Sequence, residues 1–198
     1  MKSKTGKTGL FFGSFNPVHV GHMIIANWFV EYTDLDEVWF VISPQNPFKK
    51  RETLLADHHR LALVREAIGD DLRFKACDIE FRMPKPSYTI DTLTWLDEKY
   101  PSKHFVLIAG SDQLASFHKW KNPERILELY QVYLYRRPRS GKGRFDDHPS
   151  FRWFDVPMME ISSSFIRQSI ADGKDMRYML PGRVWQYIRE MHFYESRD

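Results

Sequence analysis

Cysteine is almost absent from this chain. Cys77 is the only one in 198 residues, so no internal disulfide can form, and a reducing cytoplasm is the expected compartment. A lone cysteine also rules out C-x-x-C metal ligation, and the histidines at 19 and 22 lack the glutamate of an H-E-x-x-H site, so no protein-bound metal is expected. No apolar run approaches the roughly 20 positions of a membrane helix. The basic start, Met1 to Lys7, leads into no stretch long enough for a secretory signal. Net charge is scarce too: 29 basic against 26 acidic side chains leave +3. That suits a small anionic substrate and does not by itself argue for nucleic acid, which demands a concentrated basic face. Neither a membrane nor a nucleic acid is therefore an expected partner. There is no G-x-G-x-x-G fingerprint. Gly6-Lys7-Thr8 would need a glycine at position 1 to end a P-loop, and Met1 stands there.

What is present is alternation. Short apolar runs read as strands at Gly9 to Phe12, Glu37 to Ser43, Phe74 to Ile79, His104 to Gly110, Val132 to Arg136 and Phe151 to Val156. Amphipathic stretches read as helices at Pro17 to Thr33, Leu55 to Ile68, Ile90 to Tyr100, Asn122 to Leu129, Ser163 to Ala171 and Pro181 to Met191. The pattern predicts an α/β fold: a Rossmann-like doubly wound parallel sheet with helices on both faces and a small C-terminal helical part from about residue 157. The length predicts one domain spanning residues 1–198. Ligands on such sheets bind beyond the carboxyl ends of the strands. Arg139 to Ser150 is the candidate mobile surface loop.

Two motifs carry the chemistry. The first is Gly13-Ser14-Phe15-Asn16-Pro17-Val18-His19-Val20-Gly21-His22, between the first strand and the first helix. His19 and His22, three apart, share one helix face at its start, where free N–H groups and the helix dipole favour an anion. Gly13 and Gly21 leave room for close approach of backbone or phosphate, and Pro17 suits a helix entry. The second motif is Ile161-Ser162-Ser163-Ser164-Phe165-Ile166-Arg167. One serine is explained by helix capping. Three followed by Arg167 suit an anion better, with hydroxyl donors and a forked guanidinium.

These two strings resemble the (His/Thr)-x-Gly-His and Ile-Ser-Ser-(Ser/Thr)-x-(Ile/Val)-Arg motifs of the nucleotidylyltransferase superfamily, in the same order and at helix starts. Within it, the chain is similar to bacterial nicotinate-nucleotide adenylyltransferases. That likeness adds Ser87-Tyr88-Thr89-Ile90-Asp91-Thr92-Leu93, Gly110-Ser111-Asp112 with Leu114, Phe117 and Trp120, and Pro44 to Lys50. It runs from about Gly9 to Met191. The family often has His-Lys after the proline of the 44–50 loop, whereas this chain has Phe48-Lys49, which leaves Lys49 to act alone there.

The resemblance implies adenylyl transfer from ATP to nicotinate mononucleotide, giving nicotinate adenine dinucleotide and pyrophosphate on the way to NAD, with magnesium carried on the substrate phosphates. It implies catalytic roles for His19, His22, Lys49 and Arg167. It implies ATP contacts from Gly13, Ser14, Phe15, His19, Gly21, His22, Gly110, Asp112, Ile161, Ser163, Ser164 and Arg167. Asn16, Lys49, Thr89 and Trp120 would meet the acceptor: Thr89 as the cap of a helix whose free N–H groups suit a carboxylate, Trp120 by stacking on the pyridine ring. His58, His59, His104 and His192 read as structural or solvated. The alternatives are an adenylyltransferase for nicotinamide mononucleotide or phosphopantetheine, and an ATP-binding sensor without chemistry. A class I aminoacyl-tRNA synthetase fragment, which also carries His-x-Gly-His, lacks room for its second signature. Oligomeric state, a homo-oligomer included, is not legible in the sequence.

Overall fold

The sheet grows from alternating side chains. In the computed structural model, which describes residues 6–44, 54–137 and 143–196, the strands are β1 (Lys7–Gly13), β2 (Glu37–Ile42), β3 (Phe74–Cys77), β4 (His104–Gly110), β5 (Gln131–Tyr135) and β6 (Phe151–Phe154). All pair in parallel, in the order β3-β2-β1-β4-β5-β6. Leu10 of β1 lies beside Trp39 on one side and Leu107 on the other. These three belong to one buried cluster, while their neighbours Phe11, Phe40 and Ile108 belong to the other. The period of two thus feeds a core on each face of the sheet.

Helices α1 (Val20–Tyr32), α2 (Asp57–Ile68), α6 (Ser163–Ala171) and α7 (Gly182–Glu190) contribute Phe29, Leu63, Ile166 and Val184 to the Phe11 face. Helices α3 (Thr89–Lys99), α4 (Leu114–Phe117) and α5 (Pro123–Leu129) contribute Leu93, Leu114 and Ile126 to the Leu10 face. The doubly wound parallel sheet with helices on both faces is the architecture expected from the alternation. The C-terminal helices share a core with Phe15 and Leu63 rather than forming a core of their own.

Several boundaries differ from the sequence reading by a residue or more, and three of them bear on the site. The first helix starts at Val20, not Pro17. Phe15 turns the chain at φ 46°, His19 is extended at the cap, and two arginine side chains donate to the carbonyls of Ser14 and Asn16, holding the loop outside helical conformation. Thr89 is not the cap of α3. It is the first helical residue, and Tyr88 holds the cap position, its carbonyl accepting from the Thr92 amide and hydroxyl. β3 stops at Cys77 because Ile79–Arg82 wind into a 3₁₀ turn that buries Glu80. Of the expected 139–150 loop, the described residues 143–150 form turns. There Gly143 N–H donates to the Asp146 carboxylate, and Phe145 packs edge-on against Phe117.

Candidate active site

The order of strands reverses between β1 and β4, and the loops leaving these two strands diverge there. Such a switch point opens a crevice at the carboxyl edge. The first motif occupies it. His19 stands at the cap position of α1 in extended conformation, and its ring stacks on His22 with centroids 3.7 Å apart. The His19 amide donates to His22 Nδ1 at 3.2 Å, which sets the orientation of the second ring, and Phe15 closes on His22 edge-on at 5.2 Å. His19 is buried. Burial and then the Arg137 charge lower its pKa to about 4, so it meets a ligand as a neutral imidazole. Its Nδ1 is buried with no hydrogen-bond partner among the described residues.

The glycines make room for neighbouring side chains. A Cβ on Gly13 would stand 2.8 Å from the Phe15 ring, and one on Gly21 would stand 3.1 Å from the His19 ring. Phe15 itself is buried, its ring closed edge-on against His22 and Phe11. At Gly110 a Cβ would fall 2.4 Å from Asp112 Oδ1 and 3.1 Å from Arg137 Nε. Asp112 and Arg137 approach each other at 3.6 Å across that gap, and the Arg137 amide donates to Ser111 Oγ at 2.8 Å.

The second motif docks on the first. Ser162 is the cap, accepting from Phe165 N–H at 3.1 Å. Ser163 Oγ donates to Pro17 O at 2.9 Å. Arg167 donates from Nη1 to Asn16 O at 2.7 Å, and its Nη2 faces Ser164 Oγ at 3.3 Å. The serines thus divide the work: one caps, one ties the helix to the histidine loop, and one sits with the arginine. Ile161, which immediately precedes the cap, donates its amide to Met159 O.

The Trp120 segment is tied to the start of α3, where Thr89 is the first helical residue. Lys121, next to Trp120, bridges to Asp91 Oδ2 at 2.8 Å and lies over the Tyr88 ring at 5.0 Å, fastening the Trp120 segment to the start of α3. The Trp120 ring leans on Phe117 at 4.9 Å. Lys49 and Phe48 lie outside the described residues.

Two buried charged residues that the sequence did not single out knit these segments together. Arg60, wholly buried, donates to the carbonyls of Ser14, Ser43, Pro44 and Leu55 and to Asp57 Oδ1. It thereby joins the histidine loop to the end of β2 and the approach to α2. Glu80, also buried, accepts from Ser87 and Thr92 at 2.7 Å each and from the Ser43 hydroxyl, bracing the start of α3. Burial pushes its carboxyl above the ordinary value, against those donors. A buried Arg or Glu has no periodic signature, so neither was legible in the sequence.

Among the described residues no group of three His, Cys, Asp or Glu side chains is gathered to hold a metal ion. No helix there is long and apolar enough to cross a membrane.

Comparison with known proteins places this geometry. A family model described as cytidylyltransferase-like matches residues 10–169. A protein of Cytophaga hutchinsonii named "Probable nicotinate-nucleotide adenylyltransferase" is 49% identical, with 96% of this chain and 99% of that protein covered. Its namesake in Flavobacterium johnsoniae is 48% identical over 96% of this chain and 100% of the relative. Among solved structures, Plasmodium falciparum nicotinic acid mononucleotide adenylyltransferase complexed with NaAD superposes with a TM-score of 0.79. It is 20% identical, with 95% of this chain and 97% of that one covered, a likeness of fold.

Proposed function

Because the chain belongs to the cytidylyltransferase-like family, among relatives named nicotinate-nucleotide adenylyltransferase, we infer that it transfers the adenylyl group of ATP to nicotinate mononucleotide, releasing pyrophosphate. The observation that carries the site is the joining of the two end motifs, Arg167 to Asn16 and Ser163 to Pro17, at the switch point of the sheet. It supports one anion-binding surface built from both ends of the chain.

The acceptor's phosphate is already ionised near neutral pH and attacks the α-phosphorus in line, so no general base is required. Rate comes from positioning and from charge placed where it develops. In this reading His19, as a neutral imidazole, and His22 donate to the triphosphate, and Ser164 and Arg167 hold its far end. Gly110 and Asp112 take the nucleoside, Asp112 by accepting from a ribose hydroxyl. Magnesium arrives as part of the ATP substrate, coordinated chiefly by phosphate and water. The amides at the start of α3 take the acceptor's carboxylate, with Trp120 stacked on its ring. Lys49 supplies a further charge from the segment after Pro44. A cytoplasmic setting is supported by the free, buried Cys77.

The test is pyrophosphate release with magnesium and ATP, comparing nicotinate mononucleotide, nicotinamide mononucleotide and phosphopantetheine. Strong preference for nicotinate mononucleotide is expected. Preference for phosphopantetheine would refute the acceptor assignment, and ATP binding without release from any of them would refute the transfer itself.

A further inference from the structure

The C-terminal segment after α7 returns to the histidine loop. Phe193 lies edge-on to His59 at 4.7 Å, with its amide bound to Ile188 O, and His59 Nδ1 sits 3.2 Å from Tyr187 Oη. Glu195 takes Arg189 and His192, and Ser196 Oγ donates to Ala171 O at 3.0 Å. Within this segment His192 and Tyr194 hold φ of 51° and 67°. Left-handed backbone is costly for residues with a Cβ, and it persists only where surrounding contacts over-determine it. At Tyr194 the contact is specific: its hydroxyl reaches Asn16 Oδ1 at 2.8 Å, across 178 residues of sequence.

Asn16 is itself buried and fully committed along this edge. Its Oδ1 also accepts from Leu55 N–H at 3.2 Å, and its main-chain oxygen accepts from Arg167. A backbone amide can only donate, so the atom facing Leu55 must be the side-chain oxygen. The Tyr194 hydroxyl therefore donates to that oxygen and holds the side-chain amide in place. Burial drives the phenol's pKa well up, against the nearby charges of Arg167 and Arg60, so it stays a donor at any working pH.

We propose that Tyr194 is a positioning residue for ATP: by fixing the Asn16 amide it fixes the Asn16 carbonyl that aims the Arg167 guanidinium at the phosphates. Tyr194 is then part of the catalytic architecture, although its own side chain touches no substrate. Tyr194 leaves the ring packing to Phe193 and supplies one oriented O–H. The proposal rests on the reading of Arg167 as a phosphate ligand and is independent of which acceptor is used.

The experiment measures affinity for the magnesium complex of α,β-methylene ATP by calorimetry, so that turnover is not needed. Tyr194→Phe keeps the ring and removes the donor. It is expected to weaken the analogue about tenfold, the scale of one oriented hydrogen bond, with kcat/KM for ATP falling by a similar factor. Ser196→Ala, which removes a tail contact that does not reach the loop, is expected to bind as wild type. In an Asn16→Ala background the Tyr194→Phe change is expected to add no further loss. A folded Tyr194→Phe protein with wild-type affinity overturns the proposal, as does an equal loss in the Asn16→Ala background. Wild-type protein that binds the analogue but transfers nothing to nicotinate mononucleotide would instead fail the proposed function.

Discussion

Arg167 donates from Nη1 to the main-chain oxygen of Asn16 at 2.7 Å, joining residues 151 positions apart. Neither motif is complete alone. The histidine loop needs the arginine to hold its turn, and the arginine needs the loop to fix its second nitrogen beside Ser164. α1 begins after the loop rather than at Pro17 because His19, at its cap, holds an extended backbone.

Arg167→Lys keeps the charge and loses the fork. A lysine can reach Asn16 O or the phosphate but cannot hold both in fixed geometry. We expect kcat/KM for ATP to fall about 10–100-fold, the worth of one charge-assisted hydrogen bond, read from steady-state pyrophosphate release.

Ser162→Ala separates capping from binding. The lost bond to Phe165 N–H should cost about 1 kcal/mol of stability, measured by urea unfolding. Turnover by the folded enzyme should stay near wild type. A large loss of turnover would give Ser162 a role in ligand binding as well.

Arg60→Met would bury an apolar chain where five acceptors now converge. Four of them are backbone carbonyls, and losing their donor should cost about 3 kcal/mol, seen as a lower urea midpoint. Arg60→Lys should recover part of that loss, since an ammonium satisfies fewer of these acceptors.

His19 makes stability depend on pH. Its pKa is about 4 when folded and near 6.5 when the chain is unfolded. Between those values the unfolded chain binds the proton and the native protein does not, so acid favours unfolding. The contribution is intact above pH 6.5 and declines as pH falls toward 4. Between pH 7 and pH 5 it should amount to about 2 kcal/mol. His19→Asn should remove that part of the slope, as measured by unfolding free energies at the two pH values.

Gly21→Ala tests whether room for His19 matters more than backbone freedom. Alanine suits a helix, by up to about 1 kcal/mol, yet its Cβ would press on the His19 ring at 3.1 Å. We expect stability within about 1 kcal/mol of wild type and transfer reduced about tenfold through displacement of the imidazole. Unchanged transfer would mean the ring yields without consequence.

Much of this protein was decided by local sequence. Period-two apolar runs separated by amphipathic stretches suffice for a parallel sheet covered on both faces, because each side chain's face follows from its position along the strand. The order Ser162 to Arg167 already contains a cap and a forked donor one turn later. Tertiary structure decided the rest. Arg60 and Glu80 find partners that are carbonyls and hydroxyls from separate segments, Lys121 joins Trp120 to the start of α3, and Tyr194 meets Asn16 from the far end of the chain. A buried polar side chain takes its meaning from what it faces. Facing is set by chain crossings and turns such as that at Phe15, which have no period to read.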